Sequence, residues 1–284
     1  GLVAVQEGSA IVVRAAPEPQ AEKAVALPPV TVAAAAERET ATGPVQGYAA
    51  QRSATGTKTD TPLIETPQSI TVIGAEEIET LKAQSLQDAF GYAAGVNRAE
   101  GLDRTTDAFY LRGFKTGNAS VLRDGSPYVV NYYNGRQEPY GLERIELLKG
   151  AASVLYGAAA PGGVVNTVSK RPSATPLREL NVELGSFGRK QMSGDFGGAL
   201  GQGRDWSYRL TVLARDSDSF IDHVPDDRIY IAPALRWQPD AATSLTLLAE
   251  YQRDRTVYVD GLPAEGTVLP NASGRIPRSR FTGE

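Results

Sequence analysis

The sequence predicts a small α/β domain followed by the first strands of an antiparallel, membrane-crossing β-barrel that is incomplete within these residues. Two observations lead to this fold class. Between residues 62 and 172, short β-branched segments are mixed with segments of helical spacing, which is typical of a mixed sheet with short helices. After Pro172 the pattern changes to segments in which apolar and polar residues alternate with a period of two.

The α/β domain is predicted from local composition and turn signals. The stretch "SITVI" is rich in β-branched residues, as strands are. Residues 75–95 have the apolar spacing of one or two helices, with Gly95 as the predicted C-cap. Asp124-Gly125 indicates a turn inside "SVLRDGSPY". The predicted strands are 69–73, 109–114, 120–128, 142–150 and 162–170.

The segments after Pro172 predict strands with one apolar face. In "LRELNVELGSF" the residues Leu180, Val182 and Leu184 alternate with polar neighbours, and "YRLTVLAR", "IYIAPALRW" and "SLTLLAEYQ" repeat the pattern. Tight turns ("GQGRD", "QPDAAT") alternate with longer polar loops ("DSDSFIDHVPDD" and the residues after Arg255). This alternation favours a transmembrane β-barrel. The alternative is a β-sandwich with one solvated face.

Composition excludes several other classes. The net charge is −4 without a long basic tract, so we expect no nucleic-acid partner. There is no cysteine and a single histidine, His223, which argues against a disulfide framework and against common metal sites. No nucleotide-binding, esterase or metalloprotease motif is present. We therefore predict no enzyme, no catalytic residue, no metal ligand and no cofactor.

The N-terminal part is predicted to hold two short segments of a different kind. Residues 1–16 have the pattern of a β-hairpin that belongs to a small domain beginning further upstream. Residues 17–61 are rich in Ala, Pro, Thr and Gly, which is typical of a flexible linker. Within that linker, "LPPVTVAA" predicts a short extended segment, because two prolines precede an alternation of valines.

These motifs, in this order and spacing, resemble the TonB-dependent outer-membrane receptors, and among them the iron–siderophore branch. The resemblance rests on "TPQSITVI", "YLRGF", "DGSPY" and "GLERIELLKGAASVLYGAAAPGGVVNTVSKRP". It implies a plug domain at 62–172 and about the first five barrel strands at 173–284. The chain would then be a fragment, truncated at both ends, of an outer-membrane protein of a Gram-negative bacterium.

The resemblance also implies a function and its partners. The receptor would take up ferric siderophores, so that iron arrives already chelated, and the energy transducer TonB would bind the linker. Residues 1–16 would end a signalling domain that reports to a periplasmic anti-sigma regulator, and the barrel would contact outer-membrane lipid. The alternatives are a receptor for haem, cobalamin or an oligosaccharide, or a soluble β-rich binding or adhesion module.

Three groups of residues receive roles from the resemblance. The ligand would contact plug residues Arg112, Tyr128, Tyr132, Tyr133, Arg136 and Tyr140. The TonB box would consist of Pro29, Val30, Thr31, Val32 and Ala33. Charges on the inner barrel wall would pair with Glu143, Arg144, Glu146 and Lys149. For each tyrosine the alternative is packing between plug and barrel with its hydroxyl satisfied nearby, and for Arg112 an ion pair with the wall.

Overall fold

The computed structural model describes residues 2–7, 10–15, 39–98, 104–116, 120–128, 136–157, 159–201, 205–259, 261–277 and 279–281. The chain divides into two compact units, Gly1–Arg38 and Glu39–Glu284. In the first unit, strands β1 (Leu2–Glu7) and β2 (Ala10–Ala15) pair as an antiparallel hairpin. The predicted hairpin is therefore present, while its assignment to a signalling domain stays a prediction.

The α/β domain contains a central five-stranded sheet and two small sheets. Its strands are β3 (Arg52–Ser53), β4 (Thr61–Pro62), β5 (Ser69–Gly74), β6 (Val96–Arg98), β7 (Phe109–Leu111), β8 (Phe114–Lys115), β9 (Val121–Arg123), β10 (Ser126–Pro127), β11 (Leu142–Lys149) and β12 (Gly163–Ser169). The central sheet has the order β10-β9-β12-β11-β5, in which only the β12–β9 pair is parallel. This sheet positions the start of β11, where the site described below begins.

Short helices lie on both faces of this sheet. The first two, α1 (Ala75–Thr80) and α2 (Leu86–Ala89), pack into the main core on one face. The third, α3 (Ser153–Tyr156), packs through Tyr156 into a second core on the other face, with Leu148 and Val164. The hydroxyl of Ser85 accepts a hydrogen bond from the backbone N–H of Asp88 and so caps α2. Phe90 packs edge-on against Phe109, with ring centroids 5.0 Å apart. Both phenylalanines belong to the main core together with buried apolar residues of β5, β7 and β11.

Six strands follow the α/β domain and form one antiparallel sheet, which we call the wall. They are β13 (Leu177–Leu184), β14 (Lys190–Leu200), β15 (Trp206–Asp216), β16 (Asp227–Trp237), β17 (Leu245–Leu248) and β18 (Tyr251–Arg255). Each of the first four pairs with the next, and both β17 and β18 pair with β16. The predicted period-two segments are therefore strands of one sheet.

The two faces of the wall differ as the sequence predicts. Leu180, Val182 and Leu184 are 65%, 67% and 77% exposed on the outer face, because successive side chains of a strand point to opposite sides. Polar side chains fill the inner face and are buried against the α/β domain: Ser193, Asp195, Thr211, Arg215 and Arg228. Among the helices of the described residues, none is long and apolar enough to cross a membrane.

The linker predicted at 17–61 needs a correction over residues 39–61. This part lies in the same compact unit as the α/β domain, and Ser53 and Thr55 are buried in it. Its composition resembles that of a linker because it buries few apolar side chains, among them Val45, and packs largely through hydrogen bonds such as those of Ser53 and Thr55 to Glu146. The compact unit that contains the α/β domain thus begins at Glu39 and not at Pro62.

Candidate functional site

The candidate site is the polar interface between the α/β domain and the inner face of the wall. Its centre is Glu138, which lies just before β11 and is 2% exposed. The Glu138 carboxylate accepts hydrogen bonds from Arg228 Nη1 at 2.8 Å and from Arg215 Nη2 at 3.3 Å. Burial alone would raise the pKa of Glu138, but the two guanidinium charges outweigh it and hold the pKa below its usual value. The two arginines of the wall therefore keep this buried carboxylate ionised.

Asp226 is a second centre of charge, at the end of the connection between β15 and β16. Its carboxylate lies 2.8 Å from Arg104 Nη1, 3.3 Å from Arg136 Nη1 and 3.5 Å from Arg215 Nη1. Arg136 also donates to the backbone carbonyl of Gln84 at 2.9 Å. Arg136 was predicted to contact a ligand, but its side chain is only 7% exposed. In this structure Arg136 connects Gln84 of the α/β domain to Asp226 next to β16.

A third cluster links the start of β11 to β14 and β15. Arg209 Nη1 lies 2.7 Å from the Glu143 carboxylate, and Arg209 Nη2 lies 2.8 Å from Asp195. Lys170 Nζ, at the end of the α/β domain, lies 2.7 Å from Asp195 as well. Glu143, one of the four charges predicted to meet the wall, thus faces a charge of the wall directly.

Arg144 and Glu146 face the other way, which corrects the prediction for these two residues. Arg144 donates to the backbone carbonyls of Gly43 at 3.0 Å and Arg52 at 2.8 Å. Glu146 accepts hydrogen bonds from the hydroxyls of Ser53 and Thr55. Both side chains are at most 1% exposed, and these partners belong to residues 39–55 and not to the wall. They lie on the face of β11 opposite Ile145, because side chains alternate along a strand.

Lys149 lies at the far end of β11, away from these clusters. Burial and the nearby charge of Arg112 lower the pKa of Lys149. Arg112 itself is exposed at the turn between β7 and β8, with a φ of 50°. The structure thus brings Arg112, predicted to contact the ligand, close to Lys149, predicted to pair with the wall.

Two predicted ligand tyrosines contact carboxylates of the wall region. Tyr128 donates its hydroxyl hydrogen to Glu250, next to β18, at 2.7 Å. Tyr140 donates to Glu179 of β13 at 3.0 Å. Burial first, and then the nearby carboxylate, raises the pKa of each phenol. Both side chains are partly exposed, so these bonds are at the edge of the interface.

Tyr128 belongs to a small network that also includes Arg123, Glu250 and Tyr230. Arg123 Nη2 lies 2.6 Å from Glu250 and donates to the Tyr230 hydroxyl at 3.1 Å. The Tyr230 hydroxyl donates in turn to Glu250 at 3.1 Å. Arg123 and Tyr128 come from the α/β domain, whereas Tyr230 comes from β16. The network therefore joins the two parts of the molecule through four side chains.

Asp107 is a buried carboxylate behind this interface. Its Oδ2 accepts a hydrogen bond from the backbone N–H of Gln137 at 2.6 Å. Its Oδ1 has no hydrogen-bond partner within the described part of the chain. Burial, only partly offset by this hydrogen bond and by Arg136, raises the pKa of Asp107 to about 6.

Some predicted residues lie outside the described ranges, namely the TonB-box residues 29–33 together with Tyr132 and Tyr133. The wall partners Asp226, Arg228, Tyr230 and Glu250 were not predicted as site residues. For two of them, the alternation along β16 would have been enough to predict an inward side chain. Arg228 and Tyr230 occupy the inward positions of β16, alternating with exposed Ile229 and Ile231. A charge at an inward strand position indicates a partner inside the barrel.

Comparison with known proteins identifies the family. The family model described as "TonB-dependent Receptor Plug Domain" matches residues 62–164. The chain is 40% identical to the ferrichrome outer membrane transporter/phage receptor of Escherichia coli K12, over 277 residues that make up 95% of this chain. The chain belongs to the TonB-dependent receptors. Its α/β domain is the plug, and its wall is the beginning of the barrel of an outer-membrane protein.

Two further relatives support the same assignment. The chain is 35% identical to the ferrioxamine receptor of Yersinia enterocolitica over 85% of its length. The crystal structure of the ferric-catecholate import receptor Fiu of E. coli K12, in its closed form, matches with a TM-score of 0.71 and 26% identity. That match covers 82% of this chain and 34% of Fiu.

The chain spans about a third of the length of these relatives: 36% of the ferrichrome transporter and 34% of the ferrioxamine receptor. The wall described above is correspondingly an open sheet rather than a closed barrel.

Proposed function

We propose that the receptor to which this segment belongs takes up ferric siderophores across the outer membrane. The observation that carries the proposal is the 40% identity, over 95% of the chain, to a receptor named for ferrichrome transport. Other relatives are named as receptors for ferrioxamine and for a metal–pseudopaline complex. Ferrichrome and ferrioxamine are ferric siderophores, and none of the three names refers to haem, cobalamin or an oligosaccharide, which favours a siderophore.

The interface between plug and wall is suited to a plug that must move. Most of the contacts described above are ion pairs and hydrogen bonds, such as Glu143–Arg209 and Glu138–Arg228. Buried ion pairs contribute little net stability compared with apolar packing, because desolvation offsets their attraction. They can therefore be exchanged for new partners or for water at moderate cost.

Ligand binding is proposed to use the exposed part of the plug. Arg112 is solvent-exposed and lies near Lys149, so this edge of the plug concentrates positive charge. Such a surface suits an anionic chelate. Tyr128, Tyr132, Tyr133 and Tyr140 would add aromatic contacts. Arg136 is left out of this proposal because it is buried against Asp226.

TonB is proposed to bind residues 29–33 by strand addition. The segment "PPVTVAA" alternates Val30 and Val32, and its prolines keep it from becoming helical. An extended segment of this kind can pair with an exposed sheet edge of a partner. The hairpin β1–β2 would belong to a signalling domain that contacts a periplasmic regulator, and the exposed apolar face of the wall would contact lipid.

The proposed role involves no catalysis by this chain and no resident cofactor, since the iron is cargo. The test is uptake of radioactive iron by cells that lack their own receptors and produce the complete receptor. We expect uptake with ferrichrome, ferrioxamine B or metal–pseudopaline, and loss of that uptake when the proton gradient is collapsed. Growth on haem or uptake of cobalamin, without uptake of any siderophore, would contradict the proposal.

A matched pair of variants tests the TonB box within the same assay. Val32→Pro removes a backbone N–H from the strand that the partner would pair with, so we expect uptake to fall at least tenfold. Val12→Pro, in β2 of the hairpin, serves as the control, because residues 1–16 are proposed to act in signalling and not in energy coupling. Equal uptake by both variants and the unmodified receptor would argue against the TonB box.

A further inference from the structure

Tyr230 of the wall packs directly over the backbone of Gly141 in the plug. Tyr230 projects from the inner face of β16 and is fully buried. A Cβ atom built on Gly141 would lie 2.0 Å from the Tyr230 hydroxyl oxygen, 2.5 Å from Cζ and 2.8 Å from Cε1. Carbon atoms do not approach each other this closely without displacement. The phenol ring therefore fills the space that any other residue at position 141 would occupy.

Gly141 is required here for space and not for its backbone conformation. Its φ is not among the positive values found at other glycines of the described chain, so an L-residue could adopt its backbone angles. Gly141 ends the turn that leads into β11 and follows Tyr140 directly. The absence of a side chain thus leaves a slot on the plug, which the ring of Tyr230 occupies.

The hydroxyl of Tyr230 is held at the bottom of this slot by residues of both parts. It accepts a hydrogen bond from Arg123 of the plug and donates one to Glu250, each at 3.1 Å. Glu250 also lies 2.6 Å from Arg123 and accepts from Tyr128. Removing the ring from the slot would leave Arg123 and Glu250 each without one hydrogen-bond partner. Seating of the ring and pairing of these charges are therefore coupled.

We propose that Tyr230 is a positioning residue that seats in the slot above Gly141 and fixes the resting position of the plug against the wall. The plug cannot slide along β16 while the ring occupies the slot. Movement of the plug therefore requires the ring to leave the slot and the Arg123–Glu250 pair to open. This inference goes beyond the proposed function, because it concerns the position of the plug whatever ligand the receptor carries.

A single cysteine beneath the plug can report whether the plug is seated. Thr211 lies on the inner face of β15, is 1% exposed, and lines with Gly141 and Glu250 a cavity of about 190 Å³ between plug and wall. The 284 residues contain no cysteine, so Thr211→Cys introduces one thiol into this segment. The complete receptor, free of other cysteines, would be treated with a fluorescent maleimide in detergent. The labelling rate then measures how often the plug exposes position 211.

The decisive variant is Gly141→Ala in this reporter background. We expect labelling at least tenfold faster than in the reporter alone, because the added methyl group excludes the ring. Gly185→Ala is the matched control, since a Cβ there meets nothing closer than 3.4 Å, and its labelling rate should not change. An unchanged rate for Gly141→Ala would overturn the proposal.

A second pair of variants shows whether the clash is with Tyr230. Tyr230→Val removes the ring and keeps a residue that strands favour. Adding Gly141→Ala to Tyr230→Val should change the labelling rate less than twofold, because nothing is left to collide with the methyl group. The same tenfold increase with and without the ring would mean that the slot does not hold Tyr230.

Folding of the barrel is checked separately by its heat-dependent mobility in gel electrophoresis. If Gly141→Ala alone yields no folded receptor, the double variant becomes the test: recovered folding supports the proposal, and continued failure contradicts it. The labelling rate does not depend on uptake. The position of the plug can therefore be tested even if the receptor transports none of the siderophores tried.

Discussion

Glu138 of the plug and Arg228 of the wall form an ion pair of 2.8 Å in which both side chains are 2% exposed. Arg228 also binds Asp254 through two hydrogen bonds, of 2.7 and 2.8 Å. It thus connects the plug through β16 to β18. Because both side chains are buried, each charge is compensated by its protein partners rather than by bulk water.

Replacing Glu138 by Gln should strongly destabilise the seated plug. The change leaves Arg215 and Arg228 buried near a neutral amide, and breaking a buried pair costs about 3–5 kcal/mol. Thermal unfolding of the complete receptor, followed by calorimetry, measures the loss. Arg255→Gln serves as the control, since Arg255 is 81% exposed and 4.0 Å from Asp227, so its loss should cost less than about 1 kcal/mol. Similar effects of both changes would contradict this account of the interface.

Replacing Arg144 by Lys should release the segment at residues 39–55 from the plug. The guanidinium donates to the carbonyls of Thr40, Gly43 and Arg52, and a single ammonium group cannot reach all three in this geometry. Hydrogen exchange of the amides in this segment should become at least tenfold faster, which corresponds to about 1.4 kcal/mol. Arg178→Lys, at an exposed position of β13, should leave the exchange unchanged. Continued protection in Arg144→Lys would show that other contacts hold the segment.

Asp107 predicts a specific dependence of plug stability on pH. Its pKa is raised from 3.8 to about 6 in the folded chain, so the folded state binds the proton more tightly than the unfolded state. The Asp107 contribution is therefore fully present below about pH 4 and is lost as the pH rises through about 6. Relative to Asp107→Asn, the unmodified receptor should lose on the order of 3 kcal/mol between pH 4 and 7. Denaturant titrations of both proteins at several pH values measure this difference, and a constant difference would contradict it.

Gly162 and Gly157 should respond differently to replacement by alanine. A Cβ on Gly162 would lie 2.1 Å from the carbonyl oxygen of Leu111, so the strand β7 would have to move, at a cost of about 1–3 kcal/mol or more. Gly157 has a φ of 67° and open space around it, so alanine there costs only backbone strain of about 1 kcal/mol. The unfolding free energies of the two variants measure the contrast. Equal losses of unfolding free energy would mean that the backbone of Leu111 can move away from position 162 at little cost.

The alternation of apolar and polar residues was sufficient to predict the wall. Leu180 and Val182 are exposed outside, and Arg209 and Arg215 are directed to the plug, because a strand has only two faces. The plug motifs predicted the strands at 69–73 and 142–150 for a similar reason. Local composition determines the existence of such elements even where their partners are far away in the chain.

The direction of each charge on β11 could not be predicted in the same way. Both faces of this strand are buried, so alternation does not distinguish a face that meets the wall from one that meets residues 39–55. An irregular register between Leu142 and Arg144 further separates the start of the strand from its middle. The partners of Arg144 are mainly backbone carbonyls, which no side-chain pattern reveals.

The free edge of β13 has a consequence for how the receptor is made. Within the described chain this eight-residue strand pairs only with β14, so its other edge carries unpaired backbone groups. The exposed leucines and valine of β13 belong in lipid, where an unpaired backbone group costs several kcal/mol. A barrel that contains β13 must therefore pair this edge with another strand. Until that pairing forms, the edge and the apolar side chains beside it need to be shielded, both from water and from other unpaired strands.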